Sequence, residues 1–150
     1  MGQIKLYRPD GNPLAIGKPK IDTYPTLSND GGQTSFPAIR AGESFTLRGE
    51  LFNGLSQAVS YGDDATMATN YPLVRLQVKG GNQVRYCRTF GHSWMGVSTN
   101  TELISTNFSV PTDVAAGTYE LTVVANGTPS DPFEIVVVDQ GAVNKVSKGK

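Results

Sequence analysis

The chain has 150 residues, which suits one domain with a single buried core and leaves little room for a second. Lys plus Arg and Asp plus Glu both number 13, so the formal net charge is zero, and nothing in that balance draws a phosphate backbone or an acidic membrane over long range. Only 17% of residues are charged, while 17 glycines and 9 prolines supply turn formers, the composition of a β-rich, turn-rich domain.

Residues 1–35 are crowded with turn formers ("YRPDGNPLAIGKPKIDTYPTLSNDGG") and read as an irregular edge segment with one or two short strands, where the chain leaves a preceding domain. The regular part spans residues 36–139. Its first strand is "SFTLRGELF", where Phe45 and Leu47 alternate with polar neighbours. Next comes "PLVRLQVKGGNQVRYCRTF", two apolar runs around Gly80-Gly81-Asn82, which predicts a β-hairpin. "ISTNFSVP", "GTYELTVVAN" and "FEIVVVD" follow, separated by Pro111, Ala116-Gly117 and the turn "NGTPSDP". Residues 140–150 lack apolar periodicity and read as a flexible tail.

No window of eleven or more residues carries helical periodicity with caps. Six or seven strands, with turn signals every 8 to 12 residues in the second half, predict an all-β fold. The expected architecture is an immunoglobulin-like antiparallel β-sandwich of about seven strands. No apolar stretch approaches the ~20 residues needed to cross a bilayer, so no membrane insertion is expected. The start carries no signal-peptide core, and a secretion signal could have stood upstream.

Several residues are candidates for chemistry. Tyr61-Gly62-Asp63-Asp64 spells the metal-binding turn of RNA-copying polymerases, but the flanks "LSQAVS" and "ATMATN" are not apolar strands, and the chain is too short and too neutral for a template cleft. No nucleic-acid partner is expected. Asp63 and Asp64 also lack the spacing of a helix-loop-helix calcium loop, and a turn held by their carboxylates is the simpler reading. An independent metalloenzyme built on Asp63, Asp64 and His92 would need a tightly bound ion, and none is expected.

Cys87, the only cysteine, forbids an intramolecular disulfide and sits in an alternating apolar run as an inert buried thiol. His92, the only histidine, lies just past that run; it lacks the companions for a zinc site or a Ser-His-Asp triad and reads as a loop residue bonded to backbone. Trp94 and Met95 follow, either as a contact surface for sugar or another domain, or as a loop folded onto the sandwich end. Tyr71 and Tyr86 could extend a carbohydrate-binding face. Tyr119, after a Gly-containing turn, is expected to bury its ring and return its hydroxyl to nearby backbone. Asn107-Phe108-Ser109 and Asn126-Gly127-Thr128 fit the glycosylation sequon.

The segments "RAGESFTLRGELFNGLSQ", "YGDDATMATNYPLVRL", "VRYCRTFGHSWMGVST" and "AAGTYELTVVANGTPSDPFEIVVV" together resemble the C-terminal early-set, immunoglobulin-like domain of galactose oxidase and glyoxal oxidase relatives. In that family the domain packs behind a seven-bladed kelch propeller, and one of its loops donates a histidine to a copper site; His92-Ser93 matches that position. The resemblance implies a non-catalytic C-terminal module of a larger, extracytoplasmic copper radical oxidase-like protein. Its partner would be the preceding propeller of the same chain. His92 would be its one metal ligand and the isolated domain would be inactive. The alternative is a stand-alone carbohydrate- or protein-binding module.

Overall fold

A computed structural model of the chain describes residues 17–28, 35–56 and 70–139. Tyr61-Gly62-Asp63-Asp64 lies outside the described residues. Those described form an all-β fold with no helix, as the turn spacing leads one to expect. The strands are β1 (Lys20–Thr23), β2 (Thr26–Ser28), β3 (Ser35–Arg40), β4 (Ser44–Glu50), β5 (Leu73–Val78), β6 (Val84–Phe90), β7 (Ile104–Ser109), β8 (Gly117–Ala125), β9 (Thr128–Pro129) and β10 (Phe133–Val138).

The strand order is β1-β4-β7-β6-β5-β8-β10-β3-β2, with β9 added on β8. Two features depart from the expected seven antiparallel strands. Ten strands are present among the described residues: β1 and β2 are the short strands expected in the first 35 residues, whereas β3 and the two-residue β9 were not expected. The sheet is also mixed, since β3 runs parallel to β10 (Ala38 opposite Val136, Ile39 opposite Val137).

The sheet is curled rather than flat. β1 and β2 occupy opposite ends of the strand order, yet only Tyr24 and Pro25 separate them in the chain. Three Cα–Cα steps span at most about 11 Å, so the two outer edges stay within that distance where the chain crosses. Pro25 cannot donate to a ladder and marks the crossing, while its carbonyl accepts Ala38 N at 3.3 Å.

β6 is shared along its length. Its first half pairs with β5 (Val84 opposite Gln77, Cys87 opposite Val74) and its last three residues pair with β7 (Arg88 opposite Ser109, Phe90 opposite Asn107).

Period-two alternation directs one face of each long strand inward. Leu47, Val74, Leu76, Cys87, Phe108, Leu121, Val123, Ile135 and Val137 form one core, and Phe45 packs on Phe108 with ring centroids 6.1 Å apart. Phe52 and Phe108 are fully buried, each contributing roughly 1.5–3 kcal/mol by removal from water. Gly49 makes room for this packing, because a Cβ there would strike both the Lys20 carbonyl and the Phe52 ring.

The turns follow their sequence signals. Around Gly80 (φ +75°), Val78 N donates to Gln83 O at 3.0 Å and closes the β5–β6 hairpin. Asn126 and Gly127 both take positive φ (48° and 74°), the pair of left-handed residues that a type I′ turn needs between β8 and β9. Tyr119 buries its ring and donates its hydroxyl to Ala115 O at 2.9 Å, as expected.

Candidate functional site

The chain leaves β6 through Gly91, whose φ of +60° suits glycine; a Cβ there would press on the Asn107 amide. His92 then lies half-buried beside β7, with Nδ1 2.8 Å from Thr106 Oγ1. Thr106 is fully buried, and its hydroxyl also lies within reach of the Asn107 carbonyl at 3.3 Å. The Nδ1–Thr106 contact accommodates either tautomer of the ring, and Nε2 makes no hydrogen bond among the described residues. Burial pushes the His92 pKa down, favouring the neutral ring. Tyr71 stands beside it, ring centroids 6.3 Å apart and tilted by 32°. The expectation of a backbone partner for His92 is corrected: the partner is a side-chain hydroxyl. The backbone contacts fall to Ser93, whose N–H donates to Ser105 O and whose hydroxyl accepts Ser105 N, both at 2.9 Å.

Trp94 and Met95 are held from beneath. Asn53, fully buried after β4, donates its amide to Trp94 O at 2.6 Å and to Gly96 O at 3.0 Å. Asn70, 2% exposed, donates to Met95 O at 2.9 Å. Three successive carbonyls are thereby fixed, while the side chains point outward: Trp94 is 60% and Met95 40% exposed. The Trp94 indole lies over Gly96, where a Cβ would collide with Nε1. Ser98 extends the anchorage, its N–H donating to Gly54 O at 2.9 Å and its hydroxyl to Leu55 O at 3.2 Å. Asn126, in the turn after β8, holds the Leu55–Ser56 segment: Oδ1 accepts Leu55 N and Ser56 N, and Nδ2 donates to Ser56 O at 2.9 Å. The amide of the second sequon is therefore engaged in the fold.

Next to Tyr71 a groove of about 480 Å³ opens along the outer face of β5 and β6, lined by Tyr71, Leu73, Tyr86, Arg88 and Thr89. Strand parity places Leu73 and Arg75 of β5 outward with Tyr86, Arg88 and Phe90 of β6, and register sets Arg75 opposite Tyr86. Tyr86 is 57% exposed, and Tyr71, Leu73 and Phe90 are also open to solvent. Cys87 points the other way, into the core, and burial pushes its thiol pKa up to about 12, which removes it as a nucleophile at neutral pH.

Tyr71 thus joins these features: its ring stands beside His92, it lines the groove with Tyr86, and its neighbour Asn70 holds the carbonyl of Met95, next to Trp94. Sequence reasoning missed Asn53 and Asn70, because "FNG" and "NYP" read as ordinary turn chemistry, and it missed Leu73 and Arg88 as parts of a groove. Alternation from Cys87 is the signal that could have found Arg88 on the outer face, but only the pairing of β5 with β6 sets it beside Leu73 and Tyr71.

Among the described residues no three His, Cys, Asp or Glu side chains cluster closely enough to hold a metal ion. Copper(II) needs several nitrogen and oxygen donors, so these residues fit a copper site only as the source of one imidazole, His92 through Nε2. Comparison with known proteins finds no matching family model, no matching curated relative and no matching solved structure.

Proposed function

We propose that this chain is a non-catalytic interaction module, an immunoglobulin-like β-sandwich that binds carbohydrate through the aromatic side formed by Trp94, Tyr71 and Tyr86. The sandwich reading rests on β4 and β7 pairing in one half of the curled sheet and β5, β8 and β10 in the other, with apolar faces meeting between them and β6 serving both. The observation that carries the binding role is the anchorage of the Trp94–Gly96 backbone by two buried asparagines beneath an indole left 60% exposed. A fold that spends buried amides on holding a loop, and then leaves its indole in water, has a preorganised contact residue. Affinity electrophoresis against a panel of soluble polysaccharides tests this, with Trp94→Ala and Tyr86→Ala expected to weaken retention by about tenfold each, the scale of ~1–1.5 kcal/mol per stacked ring. Retention unaffected by either substitution refutes the reading.

A second reading is favoured by His92. With Nδ1 held by Thr106 and Nε2 left for an ion, its geometry suits a single ligand presented to a site completed elsewhere. On this reading the chain is the C-terminal module of an extracytoplasmic, copper radical oxidase-like protein and packs behind a kelch propeller. Within such a parent His92→Ala abolishes copper loading; full loading of that variant removes His92 from the site.

A further inference from the structure

We infer that the β5–β6 groove is a subsite for an acidic polysaccharide, with Arg88 pairing with a uronate carboxylate while Tyr86 and Tyr71 pack against the apolar faces of the sugar rings. The inference rests on the carbohydrate-binding reading and assigns its ligand class. Among the described residues Arg88 is the one charged side chain lining the groove, and no carboxylate lines it. The ion pairs among the described residues are Lys18–Asp131, Lys20–Glu50, Arg40–Glu43, Lys79–Glu134 and Arg85–Asp113, so neither Arg88 nor its face neighbour Arg75 has an acidic partner there. Arg75 instead donates to Gln77 Oε1 on its own strand. The acids nearest on this outer face, Glu120 opposite Gln77 and Glu134 beyond it on β10, lie toward the far end of β5, where Lys79 engages Glu134.

An exposed guanidinium in a groove walled by tyrosines and a leucine therefore has no acidic partner among the described residues. Its planar fork suits a carboxylate, and the tyrosine rings suit the flat C–H faces of a pyranose. A uronate supplies both on one ring. Single-stranded nucleic acid would need a basic track along the binding face, and a chain of zero net charge with one arginine in the groove does not provide it.

The test is isothermal titration of the 150-residue chain with polygalacturonate and alginate, with fully methyl-esterified polygalacturonate and galactan as uncharged counterparts, and oligo(dT) as the polyanion control. The expected result is binding to at least one acidic polymer, at least about tenfold weaker binding to its uncharged counterpart, and a similar loss for Arg88→Gln, the scale of one charge-assisted pair. Arg48→Gln, at an exposed position of β4 outside the groove, should leave affinity unchanged. Equal affinity for charged and uncharged polymers, or an unaffected Arg88→Gln, overturns the acidic-ligand inference and leaves the carbohydrate reading standing. Binding to none of the polysaccharides by the folded chain overturns both, and preference for oligo(dT) reassigns the groove to nucleic acid.

Discussion

Replacing Asn53 by alanine isolates the device that presents Trp94. The side chain is fully buried and makes two hydrogen bonds, at 2.6 and 3.0 Å, to the carbonyls of Trp94 and Gly96. Asn53→Ala leaves both carbonyls without that donor in a partly buried setting. An unsatisfied buried group costs about 1–3 kcal/mol, and two partly buried ones in the lower half of that range give a loss of ~2–4 kcal/mol. In a domain of this size each kcal/mol lowers Tm by about 2–4 °C, so a fall of roughly 5–15 °C is expected in a thermal melt followed by circular dichroism. Trp94 is the only tryptophan, so its fluorescence anisotropy reports the loop without labelling and should drop in the folded variant. Asn53→Asp should be worse, because it sets a carboxylate against two carbonyl oxygens and has no compensating donor. A loss below about 0.5 kcal/mol with unchanged anisotropy would show that the loop holds itself and that Asn53 is ordinary packing.

Three further predictions concern single groups. Tyr119→Phe removes the hydroxyl bond to Ala115 O and keeps the buried ring, so urea unfolding should show a loss of about 0.5–1.5 kcal/mol with an unchanged m-value. Cys87, its pKa raised to about 12, should resist a thiol reagent at pH 8 in the native state and react fully in denaturant; its linked stability is present below the unfolded value near 9 and is lost as pH rises from there toward 12. His92 has a lowered folded-state pKa, so its contribution is present above the unfolded value of 6.5 and is lost as pH falls from there through the folded value; wild type minus His92→Gln, measured by urea melts across that window, should show this slope, and a flat difference refutes it.

The long strands were legible because each buries one face. Leu47, Val74 and Leu76, Phe108, and Leu121 and Val123 carry the alternation, and the hairpin around Gly80 and the buried corner of Tyr119 follow from local chemistry. What was not legible is non-local. The parallel pairing of β3 with β10 joins residues a hundred positions apart, and nothing in "SFPAIR" distinguishes a parallel neighbour from an antiparallel one. β9 is two residues within a segment dominated by turn formers, and its pairing with β8 depends on the left-handed Asn126-Gly127 turn. His92, Trp94 and Met95 stood out by rarity and position, but their supports, Asn53, Asn70 and Thr106, are unremarkable letters whose roles exist only once three separate segments converge.

The groove itself sits at a change in the topology. Pro72, directly before β5, has no N–H to extend the β5–β6 ladder, and the strand begins at Leu73. Beside it the Thr89 hydroxyl donates to Pro72 O at 2.7 Å, replacing a ladder bond with a side-chain bond. From Arg88 onward the backbone of β6 pairs with β7 instead of β5, while the Thr89 side chain keeps its end tied to the Tyr71–Pro72 segment. Tyr71 and Leu73 stay exposed there and line the groove together with Tyr86 and Arg88. The same strand continues through Gly91 into the loop that Asn53 and Asn70 secure. Asn70 and Tyr71, adjacent in the chain, thus connect the two features: Asn70 holds the Met95 carbonyl of the tryptophan loop, and Tyr71 lines the groove.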